Sequence, residues 1–278
     1  MRSALQLRRM LSVSREAPVN VYDVALALGV EVQFVDHPSL EGMFYRGPNP
    51  KILLPSWRHR PKGRIAFSCA HELGHFQLGH GTHVDEYLDD SQGRGPKSDA
   101  EFAADTFAAS LLMPRQAVVE RFVRRHWDVS LASPTQLFIV AGELGVGYTT
   151  LLQHMCYGLE LVTDGWLKDR LKASSKEIRQ AVTGVCNPPR TIVIDEEWSG
   201  SPIDLEVGDA VAHLPGLTVA GGDVIERAGG VGDYAIWLGR RAGESNLEIN
   251  GRRHRVRVAR TGYCGLLKYR FLDDPDEA

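Results

Sequence analysis

The five residues 71–75, His-Glu-Leu-Gly-His, restrict what this chain can fold into more than any other stretch. On an α-helix, residues four apart lie almost above one another, so His71 and His75 can direct both imidazoles at one metal ion. Glu72 is rotated by about 100° from His71, which lets its carboxylate reach a water molecule beside the ion without binding the metal. The spacing is therefore that of a zinc peptidase, with Glu72 as the base.

A chance occurrence is the alternative to a metal site. The chain has ten histidines among 278 residues, so an H-E-x-x-H pattern arises by accident in roughly a few per cent of such chains, and many of those copies are not helical. Here Ile65, Ala70 and Leu73 follow helical spacing, and Gly79 suits a left-handed helix end. We therefore expect the motif to lie inside a helix over residues 64–78.

A small sheet is predicted before this helix. Residues 18–29 indicate a short helix stopped by a glycine, and residues 30–35 alternate in the manner of a strand. Apolar runs at 42–45 and 52–54 flank a turn-rich stretch, which is typical of a β-hairpin. Residues 79–99, which follow the motif, are polar and rich in glycine, so we expect a loop there.

A catalytic zinc site needs a third protein ligand and leaves one position for water. The metzincin spacing is excluded, because Leu78 and Gly81 stand where that class has a glycine and a histidine. His80 and His83 follow the helix and could coordinate in principle. Loop histidines beside a site more often face solvent or substrate, so these two are secondary candidates.

Glu101 is the better candidate for the third ligand. It lies in a predicted second helix that Ser98 could cap. One face of this helix carries Glu101, Ala104, Asp105 and Ala108. The small alanines would let the helix approach the first one closely and bring the carboxylate of Glu101 to the metal. Asp105 could accept a hydrogen bond from the outer nitrogen of a ligating histidine, although both acids could instead be solvated.

The sequence does not fix the group that stabilises the oxyanion or contacts the substrate. Tyr45, His80 and Tyr87 are the candidates. Cys69 stands two residues before His71, about 200° around a helix, so we expect its thiol in the core and not at the metal.

The stretch from Pro18 through the H-E-L-G-H motif to residues 101–114, EFAADTFAASLLMP, resembles the ImmA/IrrE family of zinc metallopeptidases. The second of these motifs is much more specific than the first. The resemblance implies a zincin-like fold and one zinc ion held by His71, His75 and Glu101, with the intervening glutamate as catalytic base. It also implies that the substrate is a helix-turn-helix repressor, whose cleavage switches on stress-response or mobile-element genes.

Three domains are predicted: a metallopeptidase domain over residues 1–115, a helical domain over 116–187 and a β domain over 188–278. The helical domain has the layout of a helix-turn-helix around Gly145, a layout similar to that of the longer IrrE type. Its second helix, Tyr148–Met155, contains no lysine or arginine. Direct DNA binding is therefore disfavoured, and a structural or docking role is favoured.

The last domain is predicted to contain strands only, because short alternating runs punctuated by glycine fill the sequence from about residue 190. This departs from the sensor-like GAF domain with which IrrE-type proteins end. The basic stretch 252–260 alternates with valine, so we expect a solvated outer face of a sheet. The predicted fold class is α+β: a zincin-like domain with a small sheet, a helix-turn-helix-like middle domain and a sandwich-like C-terminal β domain.

The composition suits a soluble, cytoplasmic protein. The net charge is near -3, the four cysteines form no C-x-x-C pair, and no export signal is visible. No window approaches the roughly 20 apolar residues of a membrane span. We therefore expect a cytoplasmic zinc endopeptidase that acts on a helix-turn-helix repressor. The alternatives are a helix-turn-helix transcription regulator or binding protein with a structural or vestigial zinc site, and a general peptidase of unfolded chains.

Overall fold

The computed structural model describes residues 2–86, 98–199, 202–214, 219–220, 223–249 and 251–272. The helices are α1 (Arg2–Met10), α2 (Val21–Ala27), α3 (Lys62–Leu78), α4 (Asp99–Leu112), α5 (Arg115–Arg124), α6 (Pro134–Glu143), α7 (Tyr148–Gln153), α8 (Asp164–Arg170) and α9 (Ser175–Thr183). The strands are β1 (Glu31–Val35), β2 (Leu40–Tyr45), β3 (Lys51–Pro55), β4 (His83–Glu86), β5 (Thr191–Ile194), β6 (Ile203–Glu206), β7 (Ala210–His213), β8 (Val219–Ala220), β9 (Ile225–Val231), β10 (Tyr234–Gly239), β11 (Gly243–Ile249), β12 (Arg252–Ala259) and β13 (Gly265–Leu266). A π-helical turn, His154–Gly158, follows α7 directly, and a 3-10 turn, Leu267–Tyr269, follows β13.

The chain divides into two compact units. The first comprises Met1–Val118, Gly145–Gly147 and Gly262–Tyr269, and the second comprises Val119–Leu144, Tyr148–Thr261 and Arg270–Ala278. Most residues of the predicted helical and β domains thus lie together in the second unit. The division into three domains stays a prediction.

A five-stranded mixed sheet lies in the first unit, in the order β13-β1-β3-β2-β4. β1 and β3 run parallel, whereas the other neighbouring strands are antiparallel. Alternate residues of β1 and β2 are buried, which is the pattern of a sheet with one face covered. Helix α3 covers that face, and the rings of Phe44 and Phe76 meet edge to face with centroids 5.9 Å apart.

The predicted elements around the motif are confirmed. The hairpin forms between β2 and β3. Helix α3 ends where Gly79 adopts a left-handed conformation with φ 76°, as its sequence indicates. Ser98 caps α4, because its hydroxyl accepts a hydrogen bond from the Glu101 N–H at 3.3 Å.

The prediction of a loop over residues 79–99 is wrong at His83–Glu86. These residues form β4, which pairs antiparallel with β2 at one edge of the sheet. An edge strand has one side without a strand partner, and it tolerates the polar residues that made this stretch resemble a loop. Residues 87–97 lie outside the described residues.

The second unit contains two four-stranded sheets, in the orders β5-β7-β10-β9 and β6-β12-β11-β8. One apolar core joins residues of both sheets, which is a sandwich-like arrangement; it includes Ile194, Trp198, Leu205, Val211, Leu247 and Val258. Between β5 and β12, the regular elements of the described residues are all strands. The prediction of a strand-only segment is therefore confirmed for these residues, and it is wrong at Leu267–Tyr269, which form a 3-10 turn.

The basic stretch on β12 differs in part from its prediction. Arg255 is exposed and forms an ion pair with Glu244. Arg257, however, is buried and donates two hydrogen bonds to Asp204, at 2.5 and 2.8 Å, while its guanidinium lies 4.8 Å from the ring centroid of Phe271. The prediction of a solvated face is wrong at Arg257, because the neighbouring β6 and Phe271 cover this position.

Helices α6 and α7 are joined by a short turn in which Gly145 has φ 70°. On α7, the side chains of Tyr148, Leu151 and Leu152 are buried. Burial raises the pKa of Tyr148 to about 12, and the nearby charge of Arg170 opposes this shift. In the described parts of the chain, every helix is too short or too polar to span a bilayer.

Candidate active site

Helices α3 and α4 approach each other closely where both lack a bulky side chain. A Cβ atom added to Gly74 would lie 3.0 Å from the Cα of Ala104 and 3.1 Å from its carbonyl oxygen. Ala104 and Ala108 are fully buried. The alanine face of α4 does pack as the sequence indicates. The sequence reasoning missed Gly74, for which a glycine in the middle of a buried helix was the available signal.

This close approach brings three donor groups together. The Nε2 atoms of His71 and His75 lie 3.0 Å apart. The carboxylate of Glu101 lies 3.2 Å from the first nitrogen and 3.3 Å from the second. Within the described residues, these three side chains form the cluster able to hold a metal ion, with donor atoms within 4.8 Å of one another.

The donor set and its spacing fit zinc. Two imidazoles and one carboxylate are the protein ligands of a well-known class of catalytic zinc sites. For metal–ligand bonds of about 2.0–2.1 Å, donors at the corners of a tetrahedron lie about 3.3 Å apart. The two Nε2 atoms, 3.0 Å apart, and the distances of 3.2 Å from His71 Nε2 to Oε2 of Glu101 and 3.3 Å from His75 Nε2 to Oε1 of the same carboxylate are close to that value.

The outer nitrogens of both histidines also have partners. The Nδ1 atom of His71 donates to the carboxylate of Asp105 at 2.9 Å. The Nδ1 atoms of His75 and His80 lie 2.9 Å apart. The structure therefore brings Asp105 to the position expected for it and brings His80 to the side of His75 that faces away from Glu101.

Glu72 is fully buried, and its carboxylate lies against β2. A Cβ atom added to Gly42 would be 2.4 Å from Oε1 of Glu72, so the carboxylate occupies the space that a side chain would otherwise fill. Gly42 was not predicted as part of the site. Its position in an alternating strand, on the buried side, was the signal that could have found it.

Cys69 lies in the core, as expected. It is fully buried. Burial raises the pKa of its thiol far above the usual range, and the negative charge of Glu72 raises it further. None of the four cysteines, all of which are described, forms a disulfide.

Of the remaining candidates, Tyr45 is not brought to the cluster. Tyr45 follows Phe44 on β2 and so points to the opposite side of the sheet from α3; it is 46% exposed. The ring of Tyr45 lies against Gly47, where an added Cβ atom would be 2.4 Å from the nearest ring carbon. His83 lies within β4. Tyr87 lies outside the described residues.

The fold and the cluster together define a class of protein. A helix with two convergent imidazoles and a buried glutamate, beside a helix that adds a third donor, is the arrangement of a metallopeptidase. Residues 25–155 match the model of the peptidase M78 family, described as the IrrE N-terminal-like domain. The matched part is just under half of the 278 residues, and the match confirms the resemblance to the ImmA/IrrE family inferred from the sequence. No curated protein sequence matches the chain.

Proposed function

We propose that this protein is a zinc endopeptidase that cleaves a partner transcriptional repressor of the helix-turn-helix class. The convergence of His71, His75 and Glu101 on one point is the observation that supports it best. The family match over residues 25–155 supports a metallopeptidase independently.

In this proposal each side chain of the site has one role. His71, His75 and Glu101 hold the metal. A zinc ion bound there supplies a Lewis acid for the scissile carbonyl and lowers the pKa of the attacking water. Glu72 takes the proton from that water and passes it to the leaving amine. The buried position of Glu72 keeps bulk water away from this proton.

The substrate is proposed from the family, whose resemblance to this chain implies a repressor as target. Cleavage would derepress stress-response or mobile-element genes in the cytoplasm. The segment from α6 to α7 is proposed to dock the substrate and not to bind DNA, because α7 contains neither lysine nor arginine.

The test is to incubate the protein with the helix-turn-helix repressor encoded nearest to it, with and without added Zn²⁺, and to measure intact masses. The proposal expects one discrete, zinc-dependent cut. Degradation of casein-like substrates at many sites, without a preferred repressor, would instead favour a general peptidase.

The variant Glu72→Gln separates the enzyme from a regulator with a structural zinc site. It should retain one zinc per chain and lose cleavage by at least 100-fold, because an amide cannot accept the proton. Glu248→Gln removes an exposed carboxylate from β11 and serves as the matched control. If Glu72→Gln kept full biological activity, the proteolytic function would be rejected in favour of the regulator.

A further inference from the structure

We propose that His80 is a positioning residue of the metal site, which fixes the ring of His75 by accepting a hydrogen bond from its outer nitrogen. The inference rests on the proposed function. It assigns His80 neither to the metal nor to the oxyanion, although both roles are open from the sequence alone.

The contact between the two rings determines which nitrogen carries the proton. Their Nδ1 atoms lie 2.9 Å apart, with ring centroids separated by 4.9 Å and planes inclined by 64°. Only one of the two nitrogens can donate in such a contact. Nε2 of His75 faces the donor cluster and needs its lone pair for the metal, so Nδ1 of His75 carries the hydrogen and Nδ1 of His80 accepts it.

The arrangement parallels that of the other ligating histidine. Nδ1 of His71 donates to Asp105, and each ring therefore turns its Nε2 atom toward the cluster. A hydrogen bond of this kind fixes the tautomer and the orientation of a ligand. His80 would do for His75 what Asp105 does for His71.

The backbone around His80 holds its ring in this place. Gly79 adopts φ 76°, which turns the chain back over the end of α3. The N–H of His80 then donates to the carbonyl of His75 at 3.0 Å. A guanidinium N–H of Arg46 donates to the carbonyl of His80 at 2.8 Å, and the Arg46 N–H donates to the Thr82 hydroxyl at 3.1 Å. The loop is thus tied to the β2–β3 hairpin as well as to α3.

Two substitutions at this position separate the hydrogen bond from the bulk of the side chain. Asparagine carries an acceptor oxygen at the same number of bonds from Cβ as Nδ1 of histidine. Leucine carries a methyl group there and has similar volume. His80→Asn should therefore keep the contact with His75, and His80→Leu should remove it.

The experiment measures zinc affinity directly, without a substrate. Full-length protein is stripped of metal with a chelator and titrated with Zn²⁺ against a competing indicator. We expect a Zn²⁺ affinity about tenfold or more lower for His80→Leu, and recovery to within about threefold of the wild-type value for His80→Asn. His37→Asn, at an exposed histidine on the same unit, should match the wild type.

A spectroscopic measurement distinguishes positioning from general loosening. Co²⁺ bound to His80→Leu should show shifted visible absorption bands, because the orientation of one imidazole changes, while His80→Asn keeps the wild-type spectrum. If His80→Leu does not fold, Arg46→Ala is the second variant. It releases the carbonyl of His80 at an exposed contact and should lower the zinc affinity by a smaller factor.

The outcomes separate this inference from the proposed function. If the wild type binds one zinc and the affinity and Co²⁺ spectrum of His80→Leu are unchanged, the positioning role is rejected and the peptidase stands. Equal losses in His80→Leu and His80→Asn would also reject it, since the bulk of histidine would then matter and not its acceptor. If the wild type binds no zinc, the proposed function itself fails.

Discussion

Glu72 can keep its carboxylate beside β2 because residue 42 has no side chain. The carboxylate is fully buried, and a Cβ atom added to Gly42 would lie 2.4 Å from Oε1 of Glu72. A general base must stay within hydrogen-bond reach of the proton that it removes, so its position matters as much as its chemistry. Gly42 therefore sets where the proposed base can lie.

Gly42→Ala should lower the cleavage rate while the protein still binds one zinc. The new methyl group pushes the carboxylate of Glu72 away, and a misplacement of about 1 Å can cost about 100-fold in rate. The measurement is kcat/KM on the cleaved repressor, together with zinc content. Gly81→Ala is the matched control, because a Cβ at Gly81 meets no atom within 4 Å. Equal rates in the two variants would show that Glu72 tolerates the displacement.

The contact between α3 and α4 carries the third donor to the other two. Gly74 and Ala104 meet at this contact, and Glu101 lies one turn before Ala104 on the same face of α4. The far end of α4 is held by Arg8 of α1, whose buried guanidinium donates to the carbonyl of Leu111 at 2.6 Å. Burial lowers the pKa of Arg8 to about 10, so this guanidinium remains charged at neutral pH. A positive charge at the C-terminal end of α4 stabilises that helix through its dipole.

Ala104→Leu should destabilise the protein and weaken zinc binding together. The larger side chain has no space against Gly74, and overpacking of this kind costs about 1–3 kcal/mol. Separation of the helices also moves Glu101 away from His71 and His75. The measurements are the free energy of unfolding in urea and the zinc affinity.

The control for this prediction is Ala103→Leu, one residue earlier on α4. Ala103 is partly exposed, so the same added volume can turn toward solvent. We expect a change in unfolding free energy within about 0.5 kcal/mol for this variant. A similar loss in both variants would mean that the contact at Gly74 is not tightly packed.

Elements with local signals could be predicted, whereas those that depend on distant partners could not. Gly79 marks the end of α3 and Ser98 the start of α4, because both act through their own backbone neighbours. β13, in contrast, is two residues long and is a strand only because it pairs with β1, more than 200 positions away. Two residues are too few to show an alternating pattern, so hydrophobic periodicity could not predict β13.

The candidate site shows the same division. H-E-x-x-H spacing and the alanine face of α4 indicate the ligands, since helical geometry fixes which side chains share a face. Gly42 and His80 could not be assigned, because their roles depend on how a strand and a loop return to α3. The side of the sheet on which the Tyr45 ring lies could not be predicted either, because a single-residue step along β2 decides it. The role of Tyr45 in contacting an oxyanion or a substrate stays a prediction.

At the scale of the whole molecule, a buried network of charges joins helices to the β segment within the second unit. Arg121 lies on α5 and Arg125 directly follows the last residue of that helix, and both contact the carboxylate of Glu143 on α6, at 2.6 and 2.8 Å. Arg125 also donates two hydrogen bonds of 2.6 Å to Asp195, which directly follows β5. These side chains are almost fully buried, so each charge depends on its partners to offset the cost of desolvation. The helical and β parts of this unit are therefore coupled through this network.

Glu143→Gln should therefore destabilise the whole second unit, although Glu143 belongs to a helix. Removal of its charge leaves two buried guanidinium groups with less compensation, a loss of about 3–5 kcal/mol. Glu197→Gln is the control, because its partner Arg124 is partly exposed and such a pair contributes about 1 kcal/mol or less. The measurement is urea unfolding, followed by far-ultraviolet circular dichroism for α5 and α6 and by tryptophan fluorescence for the strands around Trp198 and Trp237. The two probes should give the same midpoint, and Glu143→Gln should lower both midpoints equally. Two separate transitions, with only the helical one shifted, would mean that the predicted helical and β domains fold independently after all.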